Sequence, residues 1–246
     1  MPHDLRKNTR TRQFNLPMTL DGVKKSPIDS SEKYPLMKFR KNGVYWLTPS
    51  DIEDTKKLVS LARQVVSGGV SMVQYRQKNL NSSQKSHQAL QLKKVCTAYK
   101  VPFIINDSID IALAVDADGV HIGKSDSSLK IARDNLGDQK IIGVSCYNDI
   151  NRAQDMLDNG ADYVAFGRFY PSQTKPEAPM CSPEVLKVAG KQFSSSIVAI
   201  GGINLDNASK LINNGATHIA IVDAISKAKC PYVATKRLSG LFNKIL

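Results

Sequence analysis

The sequence predicts an α/β protein: a (β/α)8 TIM barrel, one domain at 42–246 behind an N-terminal extension at 1–41. Three observations predict it. Short β-branched runs, apolar on both faces, recur eight times from Gly43 onward, as buried parallel strands do. Helix-length segments separate them. The turn after the first run, Thr48-Pro49-Ser50, has no glycine, whereas an open doubly wound sheet, the runner-up, needs fewer strands and a glycine phosphate fingerprint there.

The expected strands, in order, are Val44–Leu47, Val70–Tyr75, Phe103–Ile105, Gly119–Ile122, Ile141–Val144, Tyr163–Phe166, Ile197–Ile200 and His218–Val222. The first helix follows from Leu58, Leu61, Ala62, Val65 and Val66, whose spacing makes one apolar stripe. The last follows from Ala234, Leu238, Leu241, Phe242 and Ile245. Glycines just before strands, in Gly68-Gly69, Gly160-Ala161 and Gly215-Ala216, supply left-handed helix ends.

Composition sets the outer bounds. With 246 residues, 41% apolar and 23% charged, the chain is globular rather than disordered throughout. No apolar run approaches the ~18 residues of a membrane span, and Met1 to Arg12 has no apolar stretch of a secretory signal. The expectation is a cytoplasmic protein with no membrane partner. Cys96, Cys146, Cys181 and Cys230 lie far apart with no CxxC, so they are expected to be buried or inert thiols. The net charge is +12, and 1–41 supplies +6 of it from ten basic and four acidic residues. Pro2, Pro17, Pro27 and Pro35 interrupt that segment, which is expected to be a flexible extension. A positive body suits anionic ligands such as phosphates. No basic stripe interleaved with aromatics points to nucleic acid. A homo-oligomer is compatible with the sequence and not indicated by it.

Barrel chemistry sits at the C-terminal strand ends. After the second strand, alternation places Gln74, Arg76 and Lys78 on one face. Buried cations there need an anion, either a ligand phosphate or protein carboxylates. Asn106 and Asp107 follow the third strand, and His121 to Asp126 follow the fourth. Asp107 and Asp126 can share a magnesium ion or cap the helices that follow them. His121 is expected to be a hydrogen-bonded core histidine. Ser145 ends the fifth strand, beside Cys146, for which no base stands out. The longest loop, Gly167 to Pro176, offers Arg168, Ser172, Gln173, Thr174 and Lys175, a set that suits a polyanion. Gly201-Gly202 and Val222-Asp223 end the last two strands, where many barrels hold phosphate on backbone N–H groups.

Taken in order, Gln74, Arg76 and Lys78, Asn106-Asp107, Gly119-Val120-His121-Ile122-Gly123 through Asp126, Gly143-Val144-Ser145, Thr174-Lys175 and Gly201-Gly202-Ile203 resemble the thiamine phosphate synthase family. The resemblance runs from about Val44 to the C-terminus. It implies a transferase that joins an aminopyrimidine pyrophosphate to a thiazole phosphate, giving thiamine phosphate and pyrophosphate. It implies that Gln74, Arg76, Lys78, Asn106, Ser145 and Lys175 hold the pyrimidine pyrophosphate. Arg76, Lys78, Ser145 and Lys175 are then the catalytic set. Asp107 and Asp126 would hold Mg2+, the implied cofactor. Ser172, Gln173, Thr174 and Gly202, with backbone near Val222 and Asp223, would hold the thiazole phosphate. The partners implied are these small-molecule substrates.

Three positions depart from the family pattern. Arg168 stands where proline is frequent, Ser172 where threonine is, and Asp223 where serine is. An aspartate beside a phosphate is repulsive, so Asp223 must point away, pair with a cation such as Arg168, or change thiazole recognition. The rival readings are a thiazole tautomerase of the same barrel family, a non-catalytic precursor-binding protein, and a phosphosugar isomerase or aldolase. The carboxylates and cations of a pyrophosphate–magnesium site argue against the first two. The third lacks an obvious lysine or Glu/His base.

Overall fold

A computed structural model describes residues 40–123, 128–171 and 179–244. All but the last two residues of the 1–41 extension lie outside that set, as do Asp126, Ser172, Gln173, Thr174, Lys175 and Ile245. The chain runs β1 (Gly43–Leu47), α1 (Thr55–Ser67), β2 (Met72–Tyr75), α2 (Ser82–Ala98), β3 (Phe103–Asn106) and α3 (Ile109–Ala114). It continues β4 (Gly119–Ile122), α4 (Leu129–Leu136), β5 (Ile141–Tyr147), α5 (Ile150–Asp158), β6 (Tyr163–Gly167) and α6 (Glu184–Gln192). It ends β7 (Ser196–Ile200), α7 (Ala208–Asn213), β8 (His218–Ile221), α8 (Asp223–Ser226), α9 (Pro231–Ser239) and a 3-10 turn at Phe242–Lys244. The strands pair in parallel and in sequence order, and β8 closes on β1. The expected barrel is therefore present strand for strand.

Closure divides the core into two layers. Alternate strand residues point inward, where Tyr45, Leu47, Met72, Ile104, Ile141 and Tyr163 meet. Their neighbours point outward, so Val44, Trp46, Val73, Phe103 and Ile142 pack beneath the helices. The expected stripe of α1, Leu58 to Val66, is the buried face of that helix. Gly69, Gly160 and Gly215 have φ of 95°, 94° and 111°, the left-handed conformation that lets the chain turn from helix into strand at little cost.

Two local expectations are corrected. Asp107 is not the cap of α3, and the N-cap of α4 is a serine. Ser108 caps α3 by accepting from Ile111 N at 3.2 Å, and Ser128 caps α4 by accepting from Ile131 N at 3.2 Å. The serine one residue downstream takes the capping geometry and relieves Asp107 of it. The last helix is also shorter than its apolar spacing suggests. It stops at Ser239 before Gly240, and Phe242 is buried from the following 3-10 turn. Three cysteines are buried as expected, but Cys230 is exposed just before Pro231.

His218 begins β8 and is fully buried. Its Nε2 is 3.1 Å from the Arg40 carbonyl, which only an N–H can satisfy, and its Nδ1 is 3.0 Å from Thr217 Oγ1. Burial pulls its pKa down from 6.5 to about 4, so the folded chain holds it neutral where the unfolded chain takes up a proton. This stability is complete above the ordinary histidine pKa and drains away as pH falls toward 4, amounting to about 3 kcal/mol across the window. Urea denaturation at pH 7 and pH 5 is expected to show about 2 kcal/mol of that loss, and His218→Phe is expected to flatten it.

Candidate active site

The cavity lies at the C-terminal ends of the strands and encloses about 530 Å3. Its cationic wall is Arg76, carried just past β2 and buried. The β1 turn holds it there. Thr48 Oγ1 accepts from Arg76 N at 2.9 Å and donates to Arg76 O at 3.2 Å, and Ser50 Oγ accepts from Nη1 at 3.0 Å. Nη2 is buried with no hydrogen-bond partner among the described residues. Burial draws the guanidinium's pKa below its usual value, and the charge of Asp107 pushes it back up. An orphaned N–H on a cation facing a cavity is a place for an anion.

The expected trio on one face is only partly present. Gln74 and Arg76 line the cavity. Lys78 does not, because β2 ends at Tyr75 and the strict alternation ends with it. Lys78 stands exposed on the loop beyond. That loop is tied back instead through Gln77, whose Oε1 accepts from Asn79 N at 2.9 Å.

Asn106 and Asp107 sit at the rim beyond β3, and Asn106 Nδ2 donates to the Asp107 carboxylate. Asp107 has φ of 65°, a strained conformation for a non-glycine residue of the kind that gathers at functional sites. Its N–H donates to the His121 carbonyl at 2.8 Å, which anchors the turn. Among the described residues no three His, Cys, Asp or Glu side chains cluster around a metal position. Asp107 supplies one carboxylate at the mouth, and the other expected ligand, Asp126, lies outside the described residues. One or two carboxylates with phosphate and water oxygens is a donor set that suits magnesium, so the residues present fit the ion.

Below the rim, a polar chain crosses the barrel interior. Gln74 Nε2 donates to Tyr45 Oη at 2.7 Å, and Tyr45 Oη is 2.8 Å from Tyr163 Oη. Tyr163 Oη is 3.0 Å from His121 Nδ1, and His121 Nε2 is 2.9 Å from Ser145 Oγ. Burial raises the pKa of both tyrosines, which keeps the phenols protonated. Gly143 makes the chain possible: a Cβ there would lie 1.9 Å from Tyr163 Cζ. His121 is the hydrogen-bonded core histidine the sequence suggested. Thr48, Ser50, Tyr45 and Tyr163 were not read as site residues, though Tyr45 and Tyr163 share the inward alternation of Gln74 and could have been found by it.

Cys146 points away from the cavity, with burial pushing its thiol up to about 12. Cys181 and Cys96 are pushed up by burial to about 11 and about 12. None of the three has thiolate character at neutral pH.

The side of the cavity where a phosphate is expected from the sequence is built by glycines. Gly201 and Gly202 have φ of 107° and 63°. A Cβ on Gly201 would meet Arg168 Cβ at 2.2 Å, and one on Gly202 would meet Pro171 O at 2.4 Å. The loop after β6 therefore lies directly on the loop after β7, joined by Phe169 N to Ile200 O at 3.1 Å and Tyr170 N to Gly201 O at 3.0 Å. Val222 and Asp223 line the same side. Asp223 does pair with a cation, but the cation is Lys227 at 3.1 Å, one turn along its own helix. Arg168 lines the cavity as well.

The model of a family described as thiamine monophosphate synthase matches residues 44–225. A thiamine-phosphate synthase of Nitrosomonas eutropha is 45% identical over 208 residues, covering 85% of this chain and 98% of that protein. One of Nitrosospira multiformis is 44% identical over 202 residues, covering 82% and 86%. Among solved structures, a thiamine phosphate pyrophosphorylase of Pyrococcus furiosus has 30% identity and a TM-score of 0.76, covering 84% of this chain and 98% of that one. An orotidine 5'-phosphate decarboxylase of Pyrococcus horikoshii, 16% identical with a TM-score of 0.59, shares the fold alone. The packing of Gly143 on Tyr163 gives a direct test of the site's framework. Gly143→Ala is expected to cost about 3 kcal/mol by overpacking, read as a lower urea midpoint with an unchanged slope.

Proposed function

We propose a mechanism from a plain premise: this chain belongs to the thiamine monophosphate synthase family and makes thiamine phosphate. The observation that carries the mechanism is the buried guanidinium of Arg76 on the cavity wall, whose Nη2 has no hydrogen-bond partner among the described residues. The pyrophosphate of 4-amino-2-methyl-5-hydroxymethylpyrimidine pyrophosphate is its partner. Asn106 and Ser145 add donors from the neighbouring strand ends. Lys175, outside the described residues, and Lys78, exposed beyond β2, complete the cationic set by family resemblance. Asp107, with Asp126, would hold Mg2+, which supplies neutralising charge for the departing pyrophosphate.

The bond that breaks joins the pyrimidine methylene to the pyrophosphate oxygen, and both electrons leave with the oxygen. Arg76 is oriented toward that growing charge before it forms, so no reorganisation is required at the moment of departure. The electron-rich aminopyrimidine carries the methylene cation. The nitrogen of 4-methyl-5-(2-hydroxyethyl)thiazole phosphate then forms the new C–N bond with its lone pair. That nitrogen carries no proton, so the step needs no base. This agrees with a site whose histidine is committed to hydrogen bonds and whose buried thiols are protonated. The thiazole phosphate is assigned to the glycine side, at Gly202, Val222 and Asp223, with Ser172, Gln173 and Thr174 from the β6 loop. Lys227 offsets the charge that Asp223 places there.

Three experiments test these assignments. The purified chain with both substrates and Mg2+ is expected to release thiamine phosphate and pyrophosphate in equal amounts and to stop on addition of EDTA. Arg76→Gln is expected to lower kcat/KM for the pyrimidine substrate by about 100-fold. Lys227→Ala is expected to raise KM for the thiazole phosphate about threefold, the scale of an exposed ion pair, and Asp223→Ser in that background to restore it. An unchanged KM would show that Asp223 does not face the phosphate.

A further inference from the structure

Ser145 is one of the donors assigned to the pyrophosphate, and its hydroxyl has one hydrogen to give. Where that hydrogen points depends on the chain behind it. Five groups are linked in series: Gln74 Nε2, Tyr45 Oη, Tyr163 Oη, the His121 ring and Ser145 Oγ, at 2.7, 2.8, 3.0 and 2.9 Å. Each hydroxyl donates once, and a neutral imidazole donates from one nitrogen and accepts at the other.

The two imidazole tautomers satisfy the links in opposite senses at Ser145. In the first, Gln74 donates to Tyr45, Tyr45 to Tyr163, Tyr163 to His121 Nδ1, and His121 Nε2–H to Ser145. Every link is then made by a hydrogen from the group before it, and the Ser145 hydrogen is released toward the cavity. In the second, Ser145 donates back to His121 Nε2, His121 Nδ1–H to Tyr163, and Tyr163 to Tyr45. Tyr45 then receives two donors, and Ser145 turns its lone pairs on the cavity. An anion there is repelled by those lone pairs and favours the first direction.

We propose that Tyr163 is a positioning residue that fixes His121 as its Nε2–H tautomer and thereby aims the Ser145 hydroxyl at the pyrophosphate. Tyr163 is fully buried and does not line the cavity, so it acts through its neighbours. His121 and Ser145 do line it. The ring of Tyr163 also stacks on His121 at 5.6 Å between centroids and 20° between planes, which holds the imidazole edge in line with both partners. Gly143 admits the ring. The inference rests on the assignment of Ser145 to the pyrophosphate.

The tautomer is read first, on the wild-type chain, by 15N NMR of labelled histidine, with the His121 signal identified by its loss in His121→Asn. A protonated Nε2 with a bare Nδ1 is expected, and a protonated Nδ1 overturns the proposal. This measurement does not depend on turnover, so it stands apart from any failure of the synthase assay. Kinetics then test the route. Tyr163→Phe is expected to lower kcat/KM for the pyrimidine pyrophosphate about tenfold and leave KM for the thiazole phosphate unchanged. In a Ser145→Ala background the same change is expected to have less than a twofold effect, because the hydroxyl it directs is gone. Equal losses in both backgrounds would show that Tyr163 does not act through Ser145.

Discussion

A β-strand cannot place consecutive side chains on one side of a sheet, and in a closed barrel that constraint decides what the site can contain. Only alternate, inward positions reach the lumen, and those of β1, β2, β4, β5 and β6 place polar groups there. They hold Tyr45, Gln74, His121, Ser145 and Tyr163. Polar groups confined to that space must find partners in one another, and they do so in a single series of hydrogen bonds. Below them Met72, Ile104 and Ile141 fill the lumen with apolar volume. The polar layer is therefore supported from beneath by a packed core and opens upward to the cavity.

Arg76 follows a different logic. Its strand has ended, and the turn after β1 takes over the task of holding it. Thr48 and Ser50 bind its backbone and one guanidinium nitrogen. The other nitrogen is kept out of water and unsatisfied, which raises the energy of the empty site relative to the filled one. An anion relieves that cost on arrival. A chain can carry such a cation and still fold, since the cost is confined to one NH2 group at the edge of a large core.

The fold was legible because short runs apolar on both faces and glycine-terminated helices report backbone geometry directly, and all eight strands fall where those runs lie. That Gln74, Arg76, Asn106, Asp107 and Ser145 line one cavity was legible because they lie at or near the C-terminal ends of strands. The errors have local causes. Lys78 was extrapolated along an alternation that stops with the strand. Asp107 was offered as a helix cap, yet Ser108 beside it caps. Arg168 was offered as the partner of Asp223, but Lys227 lies one helical turn away and needs no tertiary fold to find it. The tyrosines escaped notice because aromatic residues in strands read as core, and only the three-dimensional pairing of β1 and β6 across the lumen makes their hydroxyls polar links.

Gly143 and Tyr163 stand on neighbouring strands, and the ring of one occupies the space where the other would carry a side chain. The constraint runs one way: the ring at 163 can be lost while glycine stays, but no side chain fits unstrained at 143 until the ring is gone. Glycine at 143 is therefore the standing condition for the middle of the hydrogen-bonded series.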